Sequence, residues 1–153
     1  MSLPENATQS LFETLAQSLE TMAFVIADPL PSPADAPGDA QVVSLTFEGP
    51  RSGTINIVAS REFAMMLAAN VLGIDPSDPD AQEKADDCMK ELVNVVGGAL
   101  MPRIAESETD VFKLSLPTIR PLNTETEWPG FCNDTGTQLA SADGHTIAAR
   151  IAA

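Results

Sequence analysis

The sequence predicts an α+β fold in which helices pack on one face of a mainly antiparallel sheet. Two observations carry this prediction. Amphipathic segments with helical spacing are followed by pairs of short strands, and tight-turn sequences separate the strands of each pair. The order of elements, one helix, two strands, two helices and three or more strands, lacks the regular strand–helix alternation of a parallel sheet. At 153 residues, the chain has the size of a single domain, 1–153.

The N-terminal region is predicted to be a helix over residues 8–27. Its apolar residues recur at spacings of three and four, and Asp28-Pro29 ends the pattern. Four prolines in residues 29–40 predict a loop or flexible linker. Residues 42–153 then form the core of the domain.

The remaining elements follow from periodicity and from turn and capping residues. They are strands 42–47 and 54–58, helices 61–72 and 80 to about 101, strand 111–116, an irregular segment 121–136, and strands 137–142 and 146–152. Ser60 and Gly73 bound the first of these helices. Pro102 ends or kinks the second. Asp143-Gly144 predicts a tight C-terminal hairpin.

Charge excludes two classes of partner. Twenty-two acidic residues against eight basic ones give a net charge of −14, which repels nucleic-acid backbones and anionic membrane surfaces. The sequence contains no signal peptide and no membrane-spanning segment, so we expect a cytoplasmic protein. Its two cysteines, Cys88 and Cys132, do not make a disulfide framework and lack the spacing of a metal site.

The long helix carries the candidate functional residues. At about 100° per residue, one broad side is predicted to face the core; it contains Cys88, Met89, Leu92, Val93, Val95, Val96, Ala99 and Leu100. Asp87, Glu91, Asn94 and Gly98 fall within roughly 60° of arc on the opposite side. Asparagine and glycine weaken a helix, so their presence on an exposed face favours a docking surface that another protein approaches closely.

A purely structural interpretation of the same face is also available. Acidic residues in the first half of a helix interact favourably with its dipole, and asparagine is common on helix surfaces. The Gly97-Gly98 pair is then a packing contact or a weak point before Pro102. Periodicity alone leaves both interpretations open.

The spacing Asp87-x3-Glu91-x2-Asn94, followed after 22 residues by Pro117, resembles the signature of the CheC/CheX/FliY family of chemotaxis phosphatases. The order of elements from Val42 to the C-terminus is also similar to that family. The signature occurs once, which resembles the single-site CheX-type arrangement.

The resemblance implies a phosphatase that hydrolyses the aspartyl phosphate of a CheY-like response regulator. Asn94 would orient the attacking water, and Glu91 would pair with a lysine of the regulator, which also supplies the Mg²⁺. Asp87 and Gly98 would support docking, and Pro117 would be structural. The phosphatase itself would need no metal or other cofactor.

The alternatives are a catalytically silent module of the same fold that binds or dimerises in a signalling pathway, or an acidic α+β protein with no catalytic role. The resemblance further implies a homodimer formed through sheet edges. We expect the C-terminal hairpin to supply such an edge.

Overall fold

The computed structural model describes residues 2–153, so Met1 of the predicted domain 1–153 lies outside the described residues. The helices are α1 (Ala7–Ala23), α2 (Arg61–Leu72), α3 (Pro79–Ile104) and α4 (Trp128–Asn133). The strands are β1 (Ala27–Leu30), β2 (Ala40–Glu48), β3 (Gly53–Ser60), β4 (Lys113–Leu114), β5 (Thr118–Pro121), β6 (Thr137–Ala142) and β7 (His145–Ala152). They form one antiparallel sheet in the order β1-β6-β7-β3-β2-β4, and β5 also pairs with β2. The predicted α+β fold is confirmed.

The main core lies between the sheet and the three longer helices. Alternate residues of each strand point to opposite faces, and on one face Val43, Ile57 and Ile147 pack against α1, α2 and α3. The other face carries a smaller core, in which Trp128 and Phe131 of α4 cover Val42 and Val58. The prediction that helices pack on one face of the sheet therefore holds for α1, α2 and α3, whereas α4 packs on the other face.

Both predicted hairpins and helix α2 are confirmed. β2 pairs with β3 from Ala40↔Ser60 to Phe47↔Gly53, and β6 pairs with β7 across Asp143-Gly144. Asp143 and Gly144 have φ of 51° and 80°, as a two-residue hairpin turn requires. At the start of α2, the Ser60 hydroxyl accepts a hydrogen bond from the Phe63 N–H at 2.9 Å.

The N-terminal helix is shorter than predicted, because it ends at Ala23 and not at residue 27. Phe24 adopts a left-handed conformation with φ of 58°, and its N–H bonds to the Glu20 carbonyl. The amide of Asn70 on α2 donates to the Ala23 carbonyl at 3.0 Å. The sequence around residue 23 does not indicate this cap, because its donor lies 47 residues away.

The predicted loop 29–40 is wrong at both ends. Ala27–Leu30 forms strand β1, which pairs with β6, and Ala40 already belongs to β2. The residues between these strands lie against the second face, where the Trp128 indole donates to the Ala34 carbonyl at 2.9 Å. This hydrogen bond ties the segment to α4.

Three features from the end of the long helix onwards also differ from the prediction. α3 continues through Pro102 to Ile104, since a proline so near the end of a helix removes only one hydrogen bond. The predicted strand 111–116 is reduced to Lys113–Leu114. Ser115 still bonds to Thr46 of β2, accepting from its N–H through the hydroxyl and donating its own N–H to the carbonyl, but the two residues form no ladder pair. The segment predicted to be irregular, 121–136, contains α4.

The expectation that the C-terminal hairpin forms a sheet edge is wrong. β6 lies between β1 and β7, and β7 lies between β6 and β3. Both strands of the hairpin are therefore paired on both sides. The edges of the sheet are β1 at one end and β4 and β5 at the other.

Candidate functional site

The candidate site lies on the outer face of α3. The helix begins at Pro79, and the Asp78 carboxylate caps it by accepting a hydrogen bond from the Asp80 N–H at 2.9 Å. The four predicted residues, Asp87, Glu91, Asn94 and Gly98, are all exposed on this helix. We call these four residues the motif stripe.

The opposite side of α3 holds the stripe in place. Leu92, Val93 and Val96 are completely buried between the sheet and the neighbouring helices. The predicted core face is too broad on one flank, where Cys88 and Val95 are only half-buried and Ala99 is exposed. These three residues share a side of the helix that its neighbours cover incompletely.

The side chains of the stripe are free within the part of the chain that the structure describes. None of the side-chain hydrogen bonds or ion pairs among residues 2–153 involves Asp87, Glu91 or Asn94. By contrast, the neighbouring Asp86 lies 3.6 Å from Arg61 of α2. Hydrogen bonds and ion pairs of the described residues therefore do not use the three polar groups of the stripe, which are exposed to solvent.

The two adjacent glycines of α3 have different surroundings. A Cβ added to Gly97 would lie 2.5 Å from the Leu45 Cδ2 atom on β2, so this glycine lets the helix approach the sheet. A Cβ added to Gly98 would meet nothing within 4 Å. Packing accounts for Gly97 and leaves Gly98 without a structural reason.

Pro117 lies apart from the stripe in the chain. It is half-buried in the three-residue segment between β4 and β5, where the chain leaves one short strand and enters the next. His145, which follows the hairpin turn, begins β7, and its ring packs edge-on against Phe63 at a centroid distance of 5.7 Å. Neither residue belongs to the exposed face of α3.

The thiol of Cys88, beside the stripe, is half-buried next to two acidic residues. Burial raises the pKa of Cys88 above its usual value of 9.0, and the charges of Asp87 and Glu91 raise it further. The thiol therefore keeps its proton at neutral pH. Among residues 2–153, no three histidine, cysteine or acidic side chains come together as a metal-binding group. The chemistry available at this face is that of one amide and two carboxylates.

The sequence did not predict the importance of Arg51. Its guanidinium is buried and donates hydrogen bonds to the Ile104 carbonyl and the Glu106 carboxylate. It thus holds the end of α3 and the start of the following segment against the β2–β3 turn. A single arginine in a turn has no distinctive local pattern, so only the long-range contacts reveal its role.

Comparison with known proteins relates this architecture to chemotaxis proteins. Residues 42–143 match the family model described as chemotaxis phosphatase CheX. No curated protein sequence matches the chain. Within residues 2–153, no helix is long and apolar enough to cross a membrane.

Solved structures of CheX proteins share the fold. The CheX protein of Desulfovibrio desulfuricans has a TM-score of 0.70 at 12% identity, with coverage of 96% of this chain and 98% of that one. The Vibrio vulnificus CheX has a TM-score of 0.67 at 20% identity, with coverage of 96% and 99%. The CheX–CheY–BeF3–Mg²⁺ complex from Borrelia burgdorferi matches with a TM-score of 0.66 at 17% identity, with coverage of 94% and 95%.

Proposed function

This chain belongs to the chemotaxis phosphatase CheX family, and we propose that it hydrolyses the aspartyl phosphate of a CheY-like response regulator. The single observation that carries the proposal is the motif stripe. Glu91 and Asn94 are exposed on a rigid helix, one turn apart, with no partner among the described residues. The solved CheX–CheY complex from Borrelia burgdorferi supports a CheY-like partner.

Asn94 is the residue to which we assign the catalytic role. Hydrolysis breaks the bond between phosphorus and the aspartyl oxygen as a water oxygen bonds to phosphorus, which yields a free carboxylate and inorganic phosphate. An amide can donate and accept hydrogen bonds at once, so Asn94 can orient the water without adding charge. Because phosphoryl transfer depends mainly on positioning and electrostatics, an oriented water suffices without a strong base.

Glu91 is assigned to docking. Its free carboxylate lies one turn before Asn94, and a pair with a lysine of the regulator fixes the position of Asn94 relative to the phosphoryl group. Asp87 and Gly98 extend the same face and support docking, since Gly98 presents no side chain to a partner. Pro117 has a structural role at the β4–β5 junction.

The proposal also specifies the setting of the reaction. The regulator supplies the phosphoaspartate and the Mg²⁺ that supports its chemistry, so the chain needs no cofactor of its own. Response regulators act in the cytoplasm, and we place this chain there with them. We propose that residues 1–153 act as one domain and that two copies form a homodimer. Any dimer that extends the sheet uses β1 or the β4 and β5 edge.

Release of inorganic phosphate from a phosphorylated receiver domain tests the proposal. We expect the wild-type chain to accelerate release, and Asn94→Ala to lose that acceleration while keeping its circular dichroism spectrum. Asn133→Ala is the matched control, because Asn133 is an exposed asparagine on α4, outside the stripe. If the wild type binds phosphorylated receivers without accelerating release, the chain is instead a silent binding module.

A further inference from the structure

A groove lies at the C-terminal end of the motif stripe. It encloses about 620 Å³ between the last turns of α3 and residues 105–114, and Gly98 is one of its lining residues. Its apolar lining includes Met101, Phe112 and Val111, and Val111 is 78% exposed. The groove is thus continuous with the face that we propose docks onto a receiver domain.

The main chain contributes a hydrogen-bond acceptor to this groove. Pro102 has no N–H, so the carbonyl of Gly98, four residues earlier, loses the donor that it would normally have in a helix. Gly98 is exposed and has no side chain, and a Cβ added to it would meet nothing within 4 Å. The proline four residues after this glycine therefore leaves one main-chain oxygen of an exposed groove residue without its usual helical donor.

The rim of the groove is acidic. Glu106, Glu108 and Asp110 line it, and no basic residue does. Arg51 binds Glu106, and the Asp110 carboxylate accepts hydrogen bonds from the Glu106 and Ser107 N–H groups at 2.9 and 3.2 Å. Glu108 has no side-chain hydrogen bond or ion pair among the described residues. Two of the carboxylates thus shape the rim, and the third is left free.

These features match one kind of side chain. Lysine and arginine combine an apolar stem with a cationic head that only donates hydrogen bonds. The groove offers an apolar wall for the stem, and the Gly98 carbonyl and the Glu108 carboxylate for the head. We propose, on the basis of the proposed function, that this groove binds a lysine or arginine side chain of the docked receiver. This side chain is additional to the lysine paired with Glu91, and it sets which receivers the chain prefers.

Two matched pairs of variants test the groove. Affinity for BeF3-activated receiver domains from the same organism is measured by fluorescence anisotropy at low and high salt. Glu108→Lys is compared with Glu125→Lys, which changes the net charge equally at an exposed site outside the groove. Val111→Ser is compared with Leu116→Ser, because Leu116 is 88% exposed and does not line the groove.

We expect Glu108→Lys to weaken binding about fivefold or more relative to Glu125→Lys, and the difference to shrink at high salt. Val111→Ser weakens binding at both salt concentrations. Equal affinities within each pair, with normal binding by the wild type, overturn the groove and leave the proposed function intact. A wild-type chain that binds no receiver overturns the proposed function itself.

Discussion

Gly97 of α3 lies directly against Leu45 of β2, and a methyl group in place of its hydrogen would stand 2.5 Å from the Leu45 Cδ2 atom. Leu45 is 1% exposed, so its side chain has little room to move. The next residue, Gly98, points into open space. Two adjacent glycines of one helix thus serve different purposes, close packing on the sheet side and an unobstructed face on the outer side.

Alanine substitutions at the two glycines separate these purposes. Both changes gain the same helix propensity, about 1 kcal/mol relative to glycine. Only Gly97→Ala also forces the helix or Leu45 to move, and overpacking of this kind costs about 1–3 kcal/mol. We therefore expect Gly98→Ala to raise the free energy of unfolding and Gly97→Ala to lie about 1–3 kcal/mol below it. Urea denaturation measures both, and equal stabilities would contradict the close contact.

The two main residues of the stripe differ in the kinetic parameter that they control. Glu91→Ala removes a proposed ion pair with the receiver, so we expect about fivefold weaker affinity with little change in the rate at saturation. Asn94→Ala removes the group that orients the water, so the saturated rate falls about 100-fold or more with affinity retained. Titration of phosphatase against a fixed amount of phosphorylated receiver separates the two effects. Unchanged affinity of Glu91→Ala would remove its role in docking.

The sequence predicts the elements that depend on contacts between neighbouring residues in the chain, and it misses those that depend on contacts between distant residues. α2 and the β6–β7 hairpin are predicted because Ser60, Gly73 and Asp143-Gly144 act on their immediate neighbours. The exposed position of the stripe follows from helical periodicity alone. The end of α1 depends on Asn70, and the pairing of β1 depends on β6, more than 100 residues away. Such contacts leave no local pattern.

The same distinction applies to the site. Periodicity and motif spacing identify Glu91 and Asn94, whereas Arg51 reaches across 53 residues to the Ile104 carbonyl. The groove beside the stripe lies between the end of α3 and residues 105–114, a segment that Arg51 contacts through Glu106. Sequence patterns therefore predict the face that carries the proposed chemistry, and the folded chain is needed to find the surface beside it.

Substitution of Arg51 tests this long-range connection. A lysine has one ammonium group and cannot reproduce the fork that reaches both Ile104 and Glu106. Because Arg51 is buried, we expect Arg51→Lys to lower the free energy of unfolding by about 1–3 kcal/mol. Arg61→Lys is the control, since Arg61 forms an exposed ion pair with Asp86, and it should change stability by less than about 1 kcal/mol. Urea denaturation that gives equal losses for both would show that the fork is dispensable.

A pH-dependent contribution to stability comes from the contact between Arg120 on β5 and Glu127 at the start of α4. Arg120 donates two hydrogen bonds to the Glu127 carboxylate, at 2.9 and 2.7 Å, and the Asn123 N–H donates a third at 3.0 Å. The bonds from Arg120, followed by that from Asn123, lower the pKa of Glu127 from 4.5 to about 2. A carboxylate whose pKa is lowered by folding stabilises the native state above its unfolded pKa, and this stabilisation is lost as the pH falls through the folded value.

Glu127→Gln removes this ionisation and keeps the shape of the side chain. We therefore expect the melting temperature of the wild type to exceed that of Glu127→Gln above pH 4.5, and the difference to narrow steadily towards pH 2. Glu125→Gln is the matched control, because Glu125 is exposed and forms no side-chain hydrogen bond or ion pair among the described residues. Thermal melts recorded from pH 2 to pH 6 measure both differences. A constant difference between the wild type and Glu127→Gln across this range would show that the charge of Glu127 does not stabilise the fold.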